Sequence, residues 1–124
     1  MLSSSKIVAF VPTRDSAQAK AFYEGILGLK FIYEDGFALV LDANGIKVRV
    51  AKVPEFKPAQ FTILGWEVSD IESTVSDLAK KGIRFEKYGL PGQDESGIWG
   101  APSGAKVAWF KDPDGNVLSL SQHP

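Results

Sequence analysis

Ile7-Val8-Ala9-Phe10-Val11 runs into Pro12-Thr13-Arg14-Asp15, and Thr62-Ile63-Leu64-Gly65-Trp66-Glu67-Val68 runs into Ser69-Asp70. The fold turns on these two stretches. Each is an apolar run of strand length that ends in an aspartate, and a helical pattern follows each aspartate. A short carboxylate at that place accepts from the free amides of a first helical turn, so Asp15 and Asp70 read as N-caps. Gln18 lies three residues after Asp15, the spacing of a capping box. Behind Asp15, Phe22, Tyr23 and Ile26 repeat at helical spacing; behind Asp70, Ile71, Val75, Leu78 and Ala79 do the same. Both patterns stop at a glycine that leads into an apolar stretch, Gly28-Leu29-Lys30-Phe31 and Gly82-Ile83-Arg84-Phe85. Each of these stretches is predicted to be a strand.

The two halves stay in step further on. Phe37-Ala38-Leu39-Val40-Leu41, Asp42-Ala43-Asn44-Gly45 and Ile46-Lys47-Val48-Arg49-Val50 read as a hairpin. Val107-Ala108-Trp109-Phe110-Lys111, Asp112-Pro113-Asp114-Gly115 and Asn116-Val117-Leu118-Ser119-Leu120 read as its copy. The offset between copies is 55 residues at the caps, 54 at the helix ends and 70 at the hairpins. The second copy therefore holds about 16 extra residues between its second and third strands, in a Gly- and Pro-rich loop over 88–104. The reading is α+β: a βαβββ unit used twice within one domain spanning 1–124. Unit one covers about 6–53 and unit two about 61–122.

Composition bounds the partners. Lys and Arg total 14 against 15 Asp and Glu, a balance that lacks the basic footprint of a nucleic-acid or anionic-membrane binder. Cysteine is absent and histidine occurs once, at His123, which removes thiol nucleophiles, zinc–thiolate sites and any multi-histidine cluster within one chain. The longest apolar runs, such as Phe37–Leu41, fall far short of the roughly 20 residues of a membrane helix. Met1–Lys6 carries no apolar segment of a secretory signal, so a cytoplasmic protein is expected.

The doubled unit, with Phe22-Tyr23-x-x-Ile26-Leu27-Gly28-Leu29 in copy one and Phe110-x-Asp112-Pro113-Asp114-Gly115-Asn116 in copy two, resembles the vicinal oxygen chelate superfamily. That family holds glyoxalases, extradiol dioxygenases, fosfomycin-resistance enzymes and metal-free bleomycin-resistance proteins. The resemblance spans about Ile7 to Gln122. It implies a curved mixed sheet around a cleft, helices on the outer face, and a homodimer. Metal-using relatives place one ligand on the first strand and one on the last strand of each unit. Carried over by position, these places hold Val8, Arg49, Ile63 and Ser119. None suits a divalent cation and Arg49 would repel one, so neither metal nor other cofactor is expected.

Strand alternation then fills the cleft face. With Val8 goes Phe10; with Ile63 go Gly65 and Glu67; the last strands add Lys47, Arg49 and Ala51, and Val117, Ser119 and Ser121. Trp109 is placed on that face together with Phe37, Leu39 or their neighbours. The opposite positions, including Val48, Val50, Leu64, Trp66, Leu118 and Leu120, are apolar throughout. The expected site is an apolar, aromatic pocket for a small molecule, with Arg49, Glu67 and Ser119 as polar anchors. Arg49 suits either a clamp for an acidic group or an ion pair with Glu67 that closes the cleft. Glu67 suits a general base or a structural charge. The inserted loop, with Trp99, reads as a lid, an interface or a surface excursion.

Three functions follow from these residues. The first is metal-independent binding of an apolar or aromatic ligand, perhaps acidic, as the bleomycin-resistance resemblance implies. The second is a lyase, isomerase or dioxygenase-like enzyme in which Glu67 and Arg49 are the catalytic pair. The third is a dimeric scaffold with an occluded cleft.

Overall fold

A computed structural model describes residues 1–124 as two compact units, Met1–Lys57 and Pro58–Pro124. After a short 3-10 turn at Leu2–Ser4, the first unit contains β1 (Val8–Thr13), α1 (Ser16–Lys20), β2 (Lys30–Glu34), β3 (Ala38–Ala43) and β4 (Ile46–Lys52). The second contains β5 (Thr62–Glu67), α2 (Ile71–Lys80), β6 (Trp99–Gly100), β7 (Lys106–Lys111) and β8 (Val117–Gln122). Each unit builds one four-stranded mixed sheet, ordered β1-β4-β3-β2 and β5-β8-β7-β6. The first strand pairs parallel with the last in both sheets, and the other pairings are antiparallel. This is an α+β fold made of two similar halves.

The helix starts form where the sequence puts them. Asp15 accepts from the Gln18 amide and Asp70 from the Ser73 amide, both at 3.1 Å. The capping box at Asp15 differs from expectation in its second half. The Asp15 amide donates to the Thr13 hydroxyl at 3.1 Å, so a residue before the cap supplies what Gln18 was placed to supply. After α1 the chain winds on as a π-helix over Ala21–Ile26, which turns Phe22 and Tyr23 inward. Tyr23 is fully buried and meets Phe22 edge-on. In α2 the inward residues are Ile71 and Val75, while Ala79 is exposed.

Three expectations need correction. First, Gly82-Ile83-Arg84-Phe85 forms no strand; the edge place beside β7 is taken by Trp99–Gly100 from within the inserted segment. The Phe85 ring packs against Phe110 at 5.5 Å instead, and the chain touches β7 through the Glu86 amide donating to the Trp109 carbonyl at 2.8 Å. Second, the offset of 70 holds for β4 and β8 but is 69 for β3 and β7. Arg49 pairs with Val40 whereas Ser119 pairs with Trp109. Asn44 and Gly45, both at positive φ, close the first hairpin as a two-residue turn; the second uses the five residues 112–116. Leu39 therefore opposes Val50 on the buried face, and Val40 holds the place given to it. Third, the alternation in β5 breaks. Thr62 pairs with Val117 and Leu64 with Leu118, so Ile63 is the extra residue of a β-bulge.

Asp112 organises the longer hairpin. One carboxylate oxygen accepts from the Asp114 and Asn116 amides at 2.9 Å, and the other from the Asn116 side chain at 2.8 Å. All three residues are buried, so these bonds stand in place of the water the loop has lost.

Candidate functional site

In the first unit one rung crosses all four strands: Phe10, Arg49, Val40 and Tyr33 are consecutive ladder partners on one face. Tyr33 reaches that face because Ile32 is skipped by a shift in the β2–β3 register. Without the shift, alternation would turn Tyr33 the other way. Arg49 is half-buried, and its guanidinium donates a long bond, 3.4 Å, to the Tyr33 hydroxyl. Phe10 is 62% exposed beside it, and Val8 is also exposed. The β2–β3 turn is pinned by Asp35, whose carboxylate accepts from the Phe37 and Ala38 amides at 2.8 and 2.9 Å. Those bonds hold its carboxyl below the usual range. Lys52 closes the same end, 2.8 Å from Glu34 and donating to the Asp35 carbonyl at 2.7 Å.

The corresponding rung of the second unit is Gly65, Ser119 and Trp109. Bulk has moved along it. Where the first unit has Phe10 and Arg49 next to a small Val40, the second has glycine and serine next to a tryptophan. A methyl group on Gly65 would come within 2.7 Å of the Ser119 hydroxyl, so only glycine leaves that hydroxyl its present position. Tyr88 meets Trp109 edge-on at 5.4 Å, and Trp99 lies 6.0 Å from Trp109 at a tilt of 33°. The Trp99 indole N–H donates to the Pro91 carbonyl at 3.0 Å, which fixes the ring from its far side. Burial pushes the Tyr88 hydroxyl above its ordinary value, with the Glu86 charge adding to it. Beside these rings a cavity of about 430 Å³ is lined by Gln60, Phe61, Thr62, Tyr88, Trp109 and Val117. That is a volume ordinary for a small-molecule site, and its lining is the apolar majority with few polar groups that such sites show.

The remaining expected residues fall around this surface. Glu67 is the ladder partner of Ser121, and its carboxylate stands 4.0 Å from His123 Nε2. Its side chain is 75% exposed. Ile63 sits half-buried in the bulge, and Thr62 occupies the ladder position on the Ser119 side. Trp66 is half-buried on the opposite face and stacks on Phe110 at 6.4 Å, the core role its parity indicates. The sequence reading missed Tyr33, Phe61, Thr62 and Tyr88. Tyr33 and Thr62 are displaced by register shifts that no residue pattern announces, and Tyr88 lies where the predicted strand gives way to the loop.

The profile of the Glyoxalase/Bleomycin resistance protein/Dioxygenase superfamily matches residues 6–120, and the chain belongs to that superfamily. Among solved structures, a superfamily member from Sphaerobacter thermophilus is 22% identical, with 99% of this chain and 100% of that one covered, at a TM-score of 0.78. An antibiotic binding protein from a Streptomyces species is 22% identical, covers 100% and 99%, and reaches 0.76. A lactoylglutathione lyase from Agrobacterium tumefaciens is 15% identical, covers 96% and 93%, and reaches 0.74. Identities this low carry the fold alone. No curated protein sequence matches the chain.

Membership raises the question of the metal that relatives use. Val8 and Ile63 offer no donor atom, Arg49 offers only N–H groups on a positive charge, and Ser119 offers one hydroxyl. No group of three or more His, Cys, Asp or Glu side chains is gathered elsewhere in a way that could hold an ion. The residues present do not fit a divalent metal at the family's positions. No helix is long and apolar enough to cross a membrane.

Proposed function

We propose that this protein binds a small apolar or aromatic molecule, with Arg49 available to an acidic group, and that it does so without metal or other cofactor. The observation that carries the reading is the cluster of Tyr88, Trp99 and Trp109 beside the cavity at Thr62 and Val117. Three rings at mutual angles present both faces and edges to a planar ligand, which is where aromatic side chains add specificity to burial. Phe10, Val8 and Arg49 on the first unit, and Ile63, Glu67 and Ser119 on the second, belong to the same reading as ligand-binding residues. Arg49 supports an acidic ligand because its planar fork, engaged only by a long bond to Tyr33, has donors left over. A homodimer in the cytoplasm completes the proposal.

Catalysis is the second reading, favoured by the carboxylate–imidazole approach of Glu67 and His123. In that reading Glu67 takes a proton and Arg49 stabilises the developing negative charge. The exposure of Glu67 weighs against it, since water surrounds the carboxylate.

Calorimetric titration with naphthoate and its neutral counterpart naphthamide tests the first reading. Trp109→Ala is expected to weaken both probes about tenfold, the worth of a buried aromatic contact. Arg49→Leu is expected to weaken naphthoate alone. Metal analysis of chelator-free protein, with melting scans against Mn, Fe, Ni and Zn, is expected to show no bound ion and no shift. Stoichiometric metal, or indifference to both probes and to wider aromatic panels, would overturn the proposal.

A further inference from the structure

The segment 88–104 fixes two of the three rings, and one side chain holds it to the rest of the unit. The Gln93 carboxamide uses every hydrogen it has. Its oxygen accepts from the Tyr88 amide at 2.9 Å, and its nitrogen donates to the Glu86 and Gly97 carbonyls at 3.0 Å each. The three bonds join the chain before the segment, its start and its middle. The Gln93 backbone also bridges Trp99 and donates to the Leu90 carbonyl at 3.0 Å. A second staple sits next door. One Asp94 carboxylate oxygen accepts from the Ser96 amide at 2.9 Å, the Ser96 hydroxyl at 2.6 Å and the Ile98 amide at 3.0 Å. Gly97, at φ +98°, passes so close to Phe85 that a Cβ would lie 2.8 Å from the Phe85 Cβ.

We infer that Gln93 is a positioning residue that makes this segment a permanent wall of the aromatic site. A lid must exchange its backbone bonds for water when it opens, and here a half-buried amide would release three at once. Tyr88 is held through its own backbone amide by Gln93, and Trp99 is held as the backbone partner of Gln93 and by its indole bond to Pro91. The rings are therefore set before any ligand arrives, which lowers the ordering cost of binding. The inference that these rings serve a ligand rests on the proposed function; the inference that Gln93 sets them does not.

Two variants and a ligand-free readout test it. Gln93→Leu keeps the volume and removes all three bonds. Gln93→Glu keeps the shape but aims a carboxylate at two carbonyl oxygens. In the wild type, the exciton couplet of the Trp99–Trp109 pair in circular dichroism, assigned by its loss in Trp99→Phe, is expected to accompany slow exchange of the Tyr88 amide. Gln93→Leu is expected to lose most of the couplet and all protection at Tyr88, and to weaken naphthoate roughly tenfold through re-ordering of two aromatic side chains. Gln93→Glu is expected to behave the same way at neutral pH. It should regain part of the couplet below about pH 4, where a protonated carboxyl can again donate one bond. The wild type at the same pH is the reference. An unchanged couplet and unchanged Tyr88 protection in both variants would overturn the inference. So would a lost couplet with naphthoate affinity intact. If the wild type ignores naphthoate while the couplet and protection still depend on Gln93, the ligand reading fails and the positioning role stands.

Discussion

Trp99 and Trp109 lie 6.0 Å apart, ring centre to ring centre, on two strands that pair at Trp99 and Val107. The contact joins the inserted segment to the repeat unit that receives it. A double-mutant cycle with Trp99→Leu and Trp109→Leu should give a coupling of about 0.5–1.5 kcal/mol in chemical denaturation, the usual excess of an aromatic pair over its burial. Additive losses would mean that the rings touch without stabilising one another.

Asp112 is the anchor of the β7–β8 hairpin, and its carboxylate is the acceptor for three donors in a buried loop. Asp112→Ala leaves those donors without their partner and should lower stability by about 2–4 kcal/mol. The check is the urea midpoint at unchanged slope. A loss below about 0.5 kcal/mol would show that water replaces the carboxylate freely.

Gly65 and Ser119 test the claim that space on this rung is allotted in pairs. Gly65→Ala must turn the Ser119 hydroxyl aside, and the Ser119 carbonyl at 3.3 Å limits how far the strands can yield. The expected cost is about 1–2 kcal/mol. In a Ser119→Gly background the same change should cost markedly less, because the closer of the two obstacles is gone. Equal costs in both backgrounds would place the strain in the backbone.

Asp94 supplies a pH signature. Its bond from the Ser96 hydroxyl, together with bonds from neighbouring amides, holds its carboxyl below the ordinary 3.8. A carboxyl lowered in the folded state adds stability that is complete above 3.8 and is lost as pH falls through the lowered value. Asp94→Asn should therefore remove part of the acid-induced weakening below pH 3.8 while changing the neutral-pH slope little. Stability curves from pH 2 to 7 for the two proteins check it. Parallel curves would mean that the Asp94 bonds form equally in the unfolded chain.

Much of this architecture is legible in the residues. The caps at Asp15 and Asp70, the hairpin turn at Asn44-Gly45 and the alternation that sets Arg49 against Val48 and Val50 all depend on local chemistry, and local chemistry is what a sequence displays. What stays hidden is relational. The bulge at Ile63 and the register shift at Ile32 each add one residue to a strand, and nothing about isoleucine marks the place. Ile83-Arg84-Phe85 has the apolar look of a strand, yet Trp99–Gly100 holds the place beside β7, since pattern gives a segment its character but not its neighbour. At the site, Trp99 and Trp109 could be singled out as rings without a core role, and the structure brings them together. Tyr88 could not be found, because its place beside Trp109 is set by the distant amide of Gln93.

The brevity of β6 has a consequence for how this chain lives among copies of itself. Two residues pair with β7 at Lys106 and Val107, which leaves the outer rim of Ala108–Lys111 with little beyond the single bond from Glu86. An uncovered rim is a template for stray strands, and proteins commonly guard such rims with lysine. Lys106 and Lys111 stand at its two ends, held by Glu72 at 2.9 Å and by Glu86 at 3.6 Å. Colloidal behaviour should thus depend on two ammonium groups: neutralising both by acetylation invites edge-to-edge fibrils from a molecule whose interior is untouched.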